Sequence, residues 1–218
     1  MNYTGSVTVG GPAAVHELRD LVISKVAVGP YDNNAYLLRC VATGTQVLLD
    51  AAADSDRLLE LIGDDGLRAV ITTHGHKDHW QALSAVLAAT GAQHWAHAAD
   101  AADIAVAVDR ALTDGDVVAI GQVSLRVVHL VGHTPGSVSL VYDDPTGAPH
   151  AFTGDSLFPG GIGNTWGDAA RFGTLYADVV GKLFDVLPDE TWVYPGHGGD
   201  TTLGAERPHL VEWRERGW

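Results

Sequence analysis

Cysteine occurs once in this 218-residue chain, at Cys40. A lone thiol forms no internal disulfide, so the fold is expected to rest on a hydrophobic core and the chain to reside in a reducing cytoplasm. Long apolar runs are missing as well. None approaches the roughly 20 residues of a membrane span, and residues 1–11 lack the basic block and apolar stretch of a signal peptide. No membrane partner is expected. Positive charge is scarce: 13 Lys and Arg stand against 27 Asp and Glu, a formal charge of −14 at pH 7. Such a surface repels phosphate backbones and argues against DNA or RNA as a partner. A GxSxG nucleophile elbow is also lacking, so any catalytic chemistry must use another constellation. A small molecule is the partner left in view, and nothing sets the oligomeric state.

What the chain does have is an ordinary globular composition, 46% hydrophobic, and enough length for a sizeable core. Residues 1–218 are expected to form a single domain, with 1–20 as an N-terminal arm or edge hairpin. Short apolar runs between turn signals predict strands at 21–28, 35–40, 46–50, 69–73, 93–96, 117–120, 123–130, 138–142, 150–153 and 192–194. Asn33-Asn34 reads as a turn. Helices are expected from Asp54 or Ser55 to Ile62, stopped by Gly63, and over 78–89, closed by Gly91. Further helices are read at 100–108, at 175–187 before Pro188, and at 210–216. Two β-rich stretches, each followed by helices, predict an α+β fold: two sheets face to face with helices outside, a four-layer αββα sandwich.

The densest chemical signal is His74-x-His76-x-Asp78-His79, four potential ligands in six residues at a strand-to-helix junction. Imidazoles so crowded would repel one another when protonated. A divalent cation resolves the conflict, because neutral imidazole and carboxylate are its natural ligands. His74 and His76, two apart on extended chain, can face one side, while Asp78 and His79 follow the turn and can face a second position. Three more apolar strands each deliver a candidate ligand at the carboxyl end, beside glycine. They end in Gly132-His133-Thr134-Pro135-Gly136, in Gly154-Asp155 and in Pro195-Gly196-His197-Gly198. Strand ends hold side chains rigidly, and glycine lets backbone approach an ion closely. His16, His94, His97, His129, His150 and His209 have no such setting, and Cys40, closing a predicted strand, reads as core.

HxHxDH, GHTPGS, TGDSLF and PGHG, in that order, resemble the metallo-β-lactamase-fold superfamily, and within it the glyoxalase II (hydroxyacylglutathione hydrolase) branch. The likeness runs from about Leu21 to Pro208. It implies the αββα fold and two divalent ions, with zinc as the first expectation and iron or manganese as alternatives. It further implies that His74, His76 and His133 hold one ion, that Asp78, His79 and His197 hold the other, and that Asp155 bridges them. Ions about 3.5–4 Å apart can share an ionised water for attack on an acyl carbon. Asp78 and Asp155 are then the expected catalytic residues, Asp78 also orienting the attacking group.

Departures from the glutathione-specific pattern bear on the substrate. Asn164 and Trp166 stand where that branch has a lysine and a tyrosine, and Gly199 stands where it has another tyrosine. Only about twenty residues follow His197, so the C-terminal helical domain of those relatives is expected to be missing. The expectation is therefore a thioester of some small thiol, mycothiol being one alternative to glutathione, with Phe158, Asn164 and Trp166 as candidate substrate contacts. Two other readings remain open. A persulfide dioxygenase would carry one iron on His74, His133 and Asp155, and a lactonase or β-lactamase-like hydrolase would share the metal chemistry with a different pocket.

Overall fold

Alternating apolar side chains draw the first half of the chain into a seven-stranded sheet. In this computed structural model, which describes residues 3–217, the strands lie in sequence order. They are β1 (Ala14–Glu17), β2 (Leu21–Val28), β3 (Asn33–Cys40), β4 (Gln46–Leu49), β5 (Ala69–Ile71), β6 (Gln93–His97) and β7 (Arg110–Leu112). Strands β1 to β4 pair antiparallel, and β4 to β7 pair parallel. The change follows from the connections, since parallel neighbours need a crossover. Helix α1 (Ser55–Ile62) joins β4 to β5, and α2 (Leu83–Thr90) joins β5 to β6.

The second half builds a six-stranded sheet. Here β8 (Val117–Ile120), β9 (Val123–His129), β10 (Val138–Tyr142) and β11 (His150–Gly154) form an antiparallel meander. A small hairpin of β12 (Leu157–Phe158) and β13 (Gly161–Ile162) follows, then α3 (Ala169–Val179), which runs on into a π-helical turn, Val180–Phe184. Strand β14 (Trp192–Pro195) adds parallel to β11, and β15 (Thr201–Thr202) closes the edge. Helices α4 (Leu203–Glu206) and α5 (Leu210–Arg216) end the described chain.

Period-two alternation then sorts the side chains into layers. Ile23, Leu38, Leu49, Ile71 and Trp95 of the first sheet meet Leu125, Val127, Leu140, Phe152 and Tyr194 of the second. Their neighbours on the outer faces pack under helices. Leu37, Leu48 and Val70 meet Leu58, Ile62, Leu83 and Val86, while Val128, Val141 and Val193 meet Leu175, Val179 and Trp213. These are the four layers of an αββα sandwich. No helix among the described residues is long and apolar enough to cross a membrane.

Four local expectations are corrected. Asn33 and Asn34 belong to β3, and the turn lies before them, with Gly29 and Asp32 at positive φ. The helix expected from residue 78 starts at Leu83, because Lys77–His79 forms a 3-10 turn that carries two of the candidate ligands. No helix forms over 100–108: the carboxylate of Asp100 is drawn inward to three donors on other segments, and the chain crosses to β7 in successive turns. Helix α3 begins six residues before the expected Leu175, capped by Asp168, whose Oδ1 accepts from Ala170 and Arg171 N–H. Of the expected arm, β1 is an edge strand, and Met1 and Asn2 lie outside the described residues.

Candidate metal centre

All seven candidate ligands come together at one edge of the sandwich. His74 and the turn after it follow β5, His133 follows β9, Asp155 follows β11 and His197 follows β14. Three overlapping groups have their ligand atoms within 4.8 Å of one another: His74, His76 and His133; Asp78, His79 and His197; and His74, His79 and Asp155. In the first, His74 Nε2 is 3.0 Å from His76 Nδ1. In the second, His79 Nε2 and His197 Nε2 are 3.3 Å apart and lie 3.6 and 3.4 Å from Asp78 Oδ2. Asp155 stands between the groups. Its carboxylate is 3.4 Å from His79 Nε2, 3.5 Å from His197 Nε2, 3.6 Å from His133 Nε2 and 4.0 Å from His74 Nε2.

Partners behind the rings set their orientation. His79 Nδ1 donates to Asp50 Oδ2 at 2.8 Å, His133 Nδ1 to the Asn164 carbonyl at 2.9 Å, and His197 Nδ1 to the Tyr31 carbonyl at 2.8 Å. Each bond turns the Nε2 lone pair into the cluster, the usual outer arrangement of a metal-binding histidine. Asp50 also accepts from Thr73 N and Thr73 Oγ1. Asp100, fully buried, accepts from Gly75 N at 2.7 Å, Gly136 N at 2.6 Å and Thr134 Oγ1 at 2.6 Å, tying the His74–His79 turn to the His133 turn. Gly196 is required for close approach: a Cβ there would lie 2.2 Å from Asp155 Oδ1 and 2.8 Å from a His79 ring carbon.

The cluster's electrostatics fit a cation. His133 Nε2 and Asp155 Oδ1 are buried with no hydrogen-bond partner, a costly state that a metal bond relieves. Burial pushes His133 down to about 4 and His74 well below the ordinary histidine value. Burial also opposes charge on His79 and His197, but Asp155 with Asp50 or Asp78 outweighs it. His79 is held well above the usual value, and His197 is raised to about 10. Asp155 is likewise pushed up by burial and brought well below the carboxylate range by His79 and His197. Carboxylates and imidazoles thus converge where positive charge is favoured, and nitrogen and oxygen donors of this kind suit divalent ions.

The candidate substrate contacts lie on the rim. Trp166, at positive φ and 57% exposed, stacks on the His133 ring at 5.4 Å and stands edge-on to His76 at 5.3 Å. The Arg171 guanidinium lies over the Trp166 ring at 4.9 Å and donates to the carbonyls of Gly132 and His133. Phe158 is 6.4 Å from the His197 ring. Asn164 turns its side chain back on its own loop, Oδ1 accepting from Trp166 N at 2.7 Å.

Several site residues escaped the sequence reading. Asp50 carried one usable signal, an acid at the end of a predicted strand, as at Asp155. Asp100 sat in a segment read as helix, and Asn33 in one read as a turn. Carbonyl partners such as those of Tyr31 and Asn164 leave no trace in residue type. The other histidines lie outside the cluster, with His16 and His150 sharing the Tyr194 hydroxyl and His97 stacked on His129.

This fold and cluster define a class. The chain belongs to the metallo-β-lactamase superfamily, whose sequence profile matches residues 28–197, and that fold implies divalent-metal binding. Among its relatives is a protein named hydroxyacylglutathione hydrolase from Polaromonas sp. (strain JS666), 36% identical over 81% of this chain and 66% of the relative. Another of the same name, from Anaeromyxobacter dehalogenans, is 39% identical over 76% of this chain and 61% of its own length. The chain thus spans somewhat under two thirds of these relatives. Similar solved structures include the BLEG-1 B3 metallo-β-lactamase, at TM-score 0.77 and 28% identity over 88% of this chain and 99% of that one. ETHE1 from Myxococcus xanthus follows at TM-score 0.76 and 30% identity, over 88% and 84%. TTHA1623 in a di-iron-bound form has TM-score 0.70 and 34% identity, over 84% and 96%.

Proposed function

We propose that this chain is a binuclear metal-dependent hydrolase of small-thiol thioesters or related acyl compounds. The observation that carries the reading is the position of Asp155, whose carboxylate lies within 4.0 Å of histidines from both ligand groups. Relatives named hydroxyacylglutathione hydrolase, 36–39% identical, add support. His74, His76 and His133 would hold one divalent ion, Asp78, His79 and His197 a second, and Asp155 both. Zinc is the first choice, and iron or manganese would also suit these donors. When bound, such ions supply Lewis acidity and ionise water near neutral pH.

The protein's own groups do the rest. Asp78, half-buried beside His197 and Asn33, is placed to accept a hydrogen bond from the attacking water and orient it. Trp166 on one rim and Phe158 on the other form apolar walls that steer the acyl group and exclude bulk water. Water oxygen joins the acyl carbon, the carbon–sulfur bond breaks, and the thiolate leaves with a proton from water. Asn164 and Trp166 replace polar glutathione contacts, which favours a thiol other than glutathione or a broad thioester range. The surface charge of −14 favours a small-molecule substrate over nucleic acid, and the lone Cys40 favours a cytoplasmic setting.

Elemental analysis paired with thioester, lactone, β-lactam and persulfide substrates tests this reading. Two divalent ions per chain and fastest turnover of a thioester are expected. A single iron with oxygen uptake on a persulfide would instead establish the dioxygenase reading on His74, His133 and Asp155, which leaves the Asp78, His79 and His197 group without a task. Fastest turnover of a lactone or β-lactam would shift the substrate class and leave the metal chemistry standing.

A further inference from the structure

Asn33 opens β3 and is almost wholly buried, at 1% exposure. Its carboxamide nitrogen lies 2.9 Å from Asp78 Oδ2 and 3.4 Å from both His79 Nε2 and His197 Nε2. Those three residues are the second candidate ligand group. The amide therefore presents its positive end to the Asp78 carboxylate that a second cation would engage, beside the two imidazoles of that group. Its other end is anomalous, since Oδ1 is buried without a hydrogen-bond donor. Backbone contacts hold the residue at this post: Asn33 forms an antiparallel bridge with His197, and Asn34 N donates to Gly196 O at 2.7 Å.

A cation among these groups would reverse the field the amide feels. Its N–H₂ end would face like charge, while Oδ1, a hard neutral oxygen, is a natural donor to divalent ions. A half-turn about the Cβ–Cγ bond exchanges the two ends with little change of shape. We propose that Asn33 is a two-position gate on the second metal site. Without the cation, its nitrogen holds the Asp78 carboxylate in place beside His79 and His197. With the cation, its oxygen becomes an additional ligand. The inference rests on the two-metal reading above. It also implies stepwise loading, because the second ion must turn the amide while the first meets no such placeholder.

Stepwise titration of the metal-free 218-residue chain with Co²⁺ tests the gate, with site affinities taken from chelator competition and coordination from the visible d–d bands. Asn33→Asp keeps the shape and removes the amide nitrogen. It should tighten the second site at least about tenfold and alter its bands, with the first site unchanged. Asn33→Ala should loosen the second site about tenfold, within the range known for residues that support metal ligands. Equal or tighter second-site binding in Asn33→Ala, or equal weakening of both sites, would overturn the gate. So would Asn33→Asp with unaltered affinity and bands, and this variant decides alone if the alanine form does not fold. A wild-type chain that takes up no second ion would remove the two-metal reading as well, whereas normal two-ion loading with silent variants removes only the gate.

Discussion

Replacing Asp100 with alanine would strand two backbone N–H groups in the interior, those of Gly75 and Gly136, and leave the Thr134 hydroxyl with Ser137 Oγ as its remaining partner. Each hydrogen bond to a charged acceptor contributes roughly 1.5–3 kcal/mol. Three of them, softened by relaxation of the turns, give a loss of about 5 kcal/mol. For a chain of this size that corresponds to a fall in Tm of roughly 10–20 °C. Differential scanning calorimetry of the metal-free protein measures it without the metal's own contribution. Asp100 also links the turns bearing His74, His76 and His133, so the affinity of that group for its cation should fall about 10–100-fold. Asp100→Asn, which offers one acceptor oxygen and an N–H₂ that faces other donors, should recover less than half of the Tm loss. A metal-free Asp100→Ala protein melting within about 3 °C of wild type would refute the estimate of three strong bonds. Full stability loss with unchanged metal affinity would refute the link to the site.

Asp155→Ala should lower occupancy of both metal positions, and elemental analysis showing two ions per chain would contradict a shared carboxylate. Trp166→Ala should cost about 1 kcal/mol of stability, chiefly the exposed contact with the Arg171 guanidinium, and raise KM for an apolar thioester several-fold; an unchanged KM would remove Trp166 from the substrate wall. A fourth prediction concerns pH. Burial, aided by His16, pushes His150 down to about 4, below an unfolded value near 6.5. Between those limits the unfolded chain binds a proton that the folded chain refuses. The associated stability is therefore present above about pH 6.5 and is lost as pH falls toward 4, up to about 3 kcal/mol. His150→Gln should flatten the decline of Tm between about pH 7 and pH 4.5 relative to wild type, and an identical slope in the two proteins would refute it.

The αββα layering was legible in the sequence because period-two alternation records which face of a strand is buried, and runs such as Leu21–Val28 and Val123–His129 carry it. The seven candidate ligands were legible for a related reason. Five of them, His74, His76, His133, Asp155 and His197, sit beside a glycine just past a strand, Asp78 and His79 follow in the same short run, and imidazole and carboxylate types announce their chemistry locally. Tertiary structure alone decided the layer behind them. Asp50 behind His79, the Asn164 carbonyl behind His133, Asp100 between two turns and Asn33 among the second group are partners chosen by proximity across the fold. A buried donor bonds whatever acceptor packing brings within about 3 Å, and neither residue type nor spacing along the chain encodes that distance. The same cause erased the helix expected over 100–108: a carboxylate needed by three distant donors outweighed a local preference for helix.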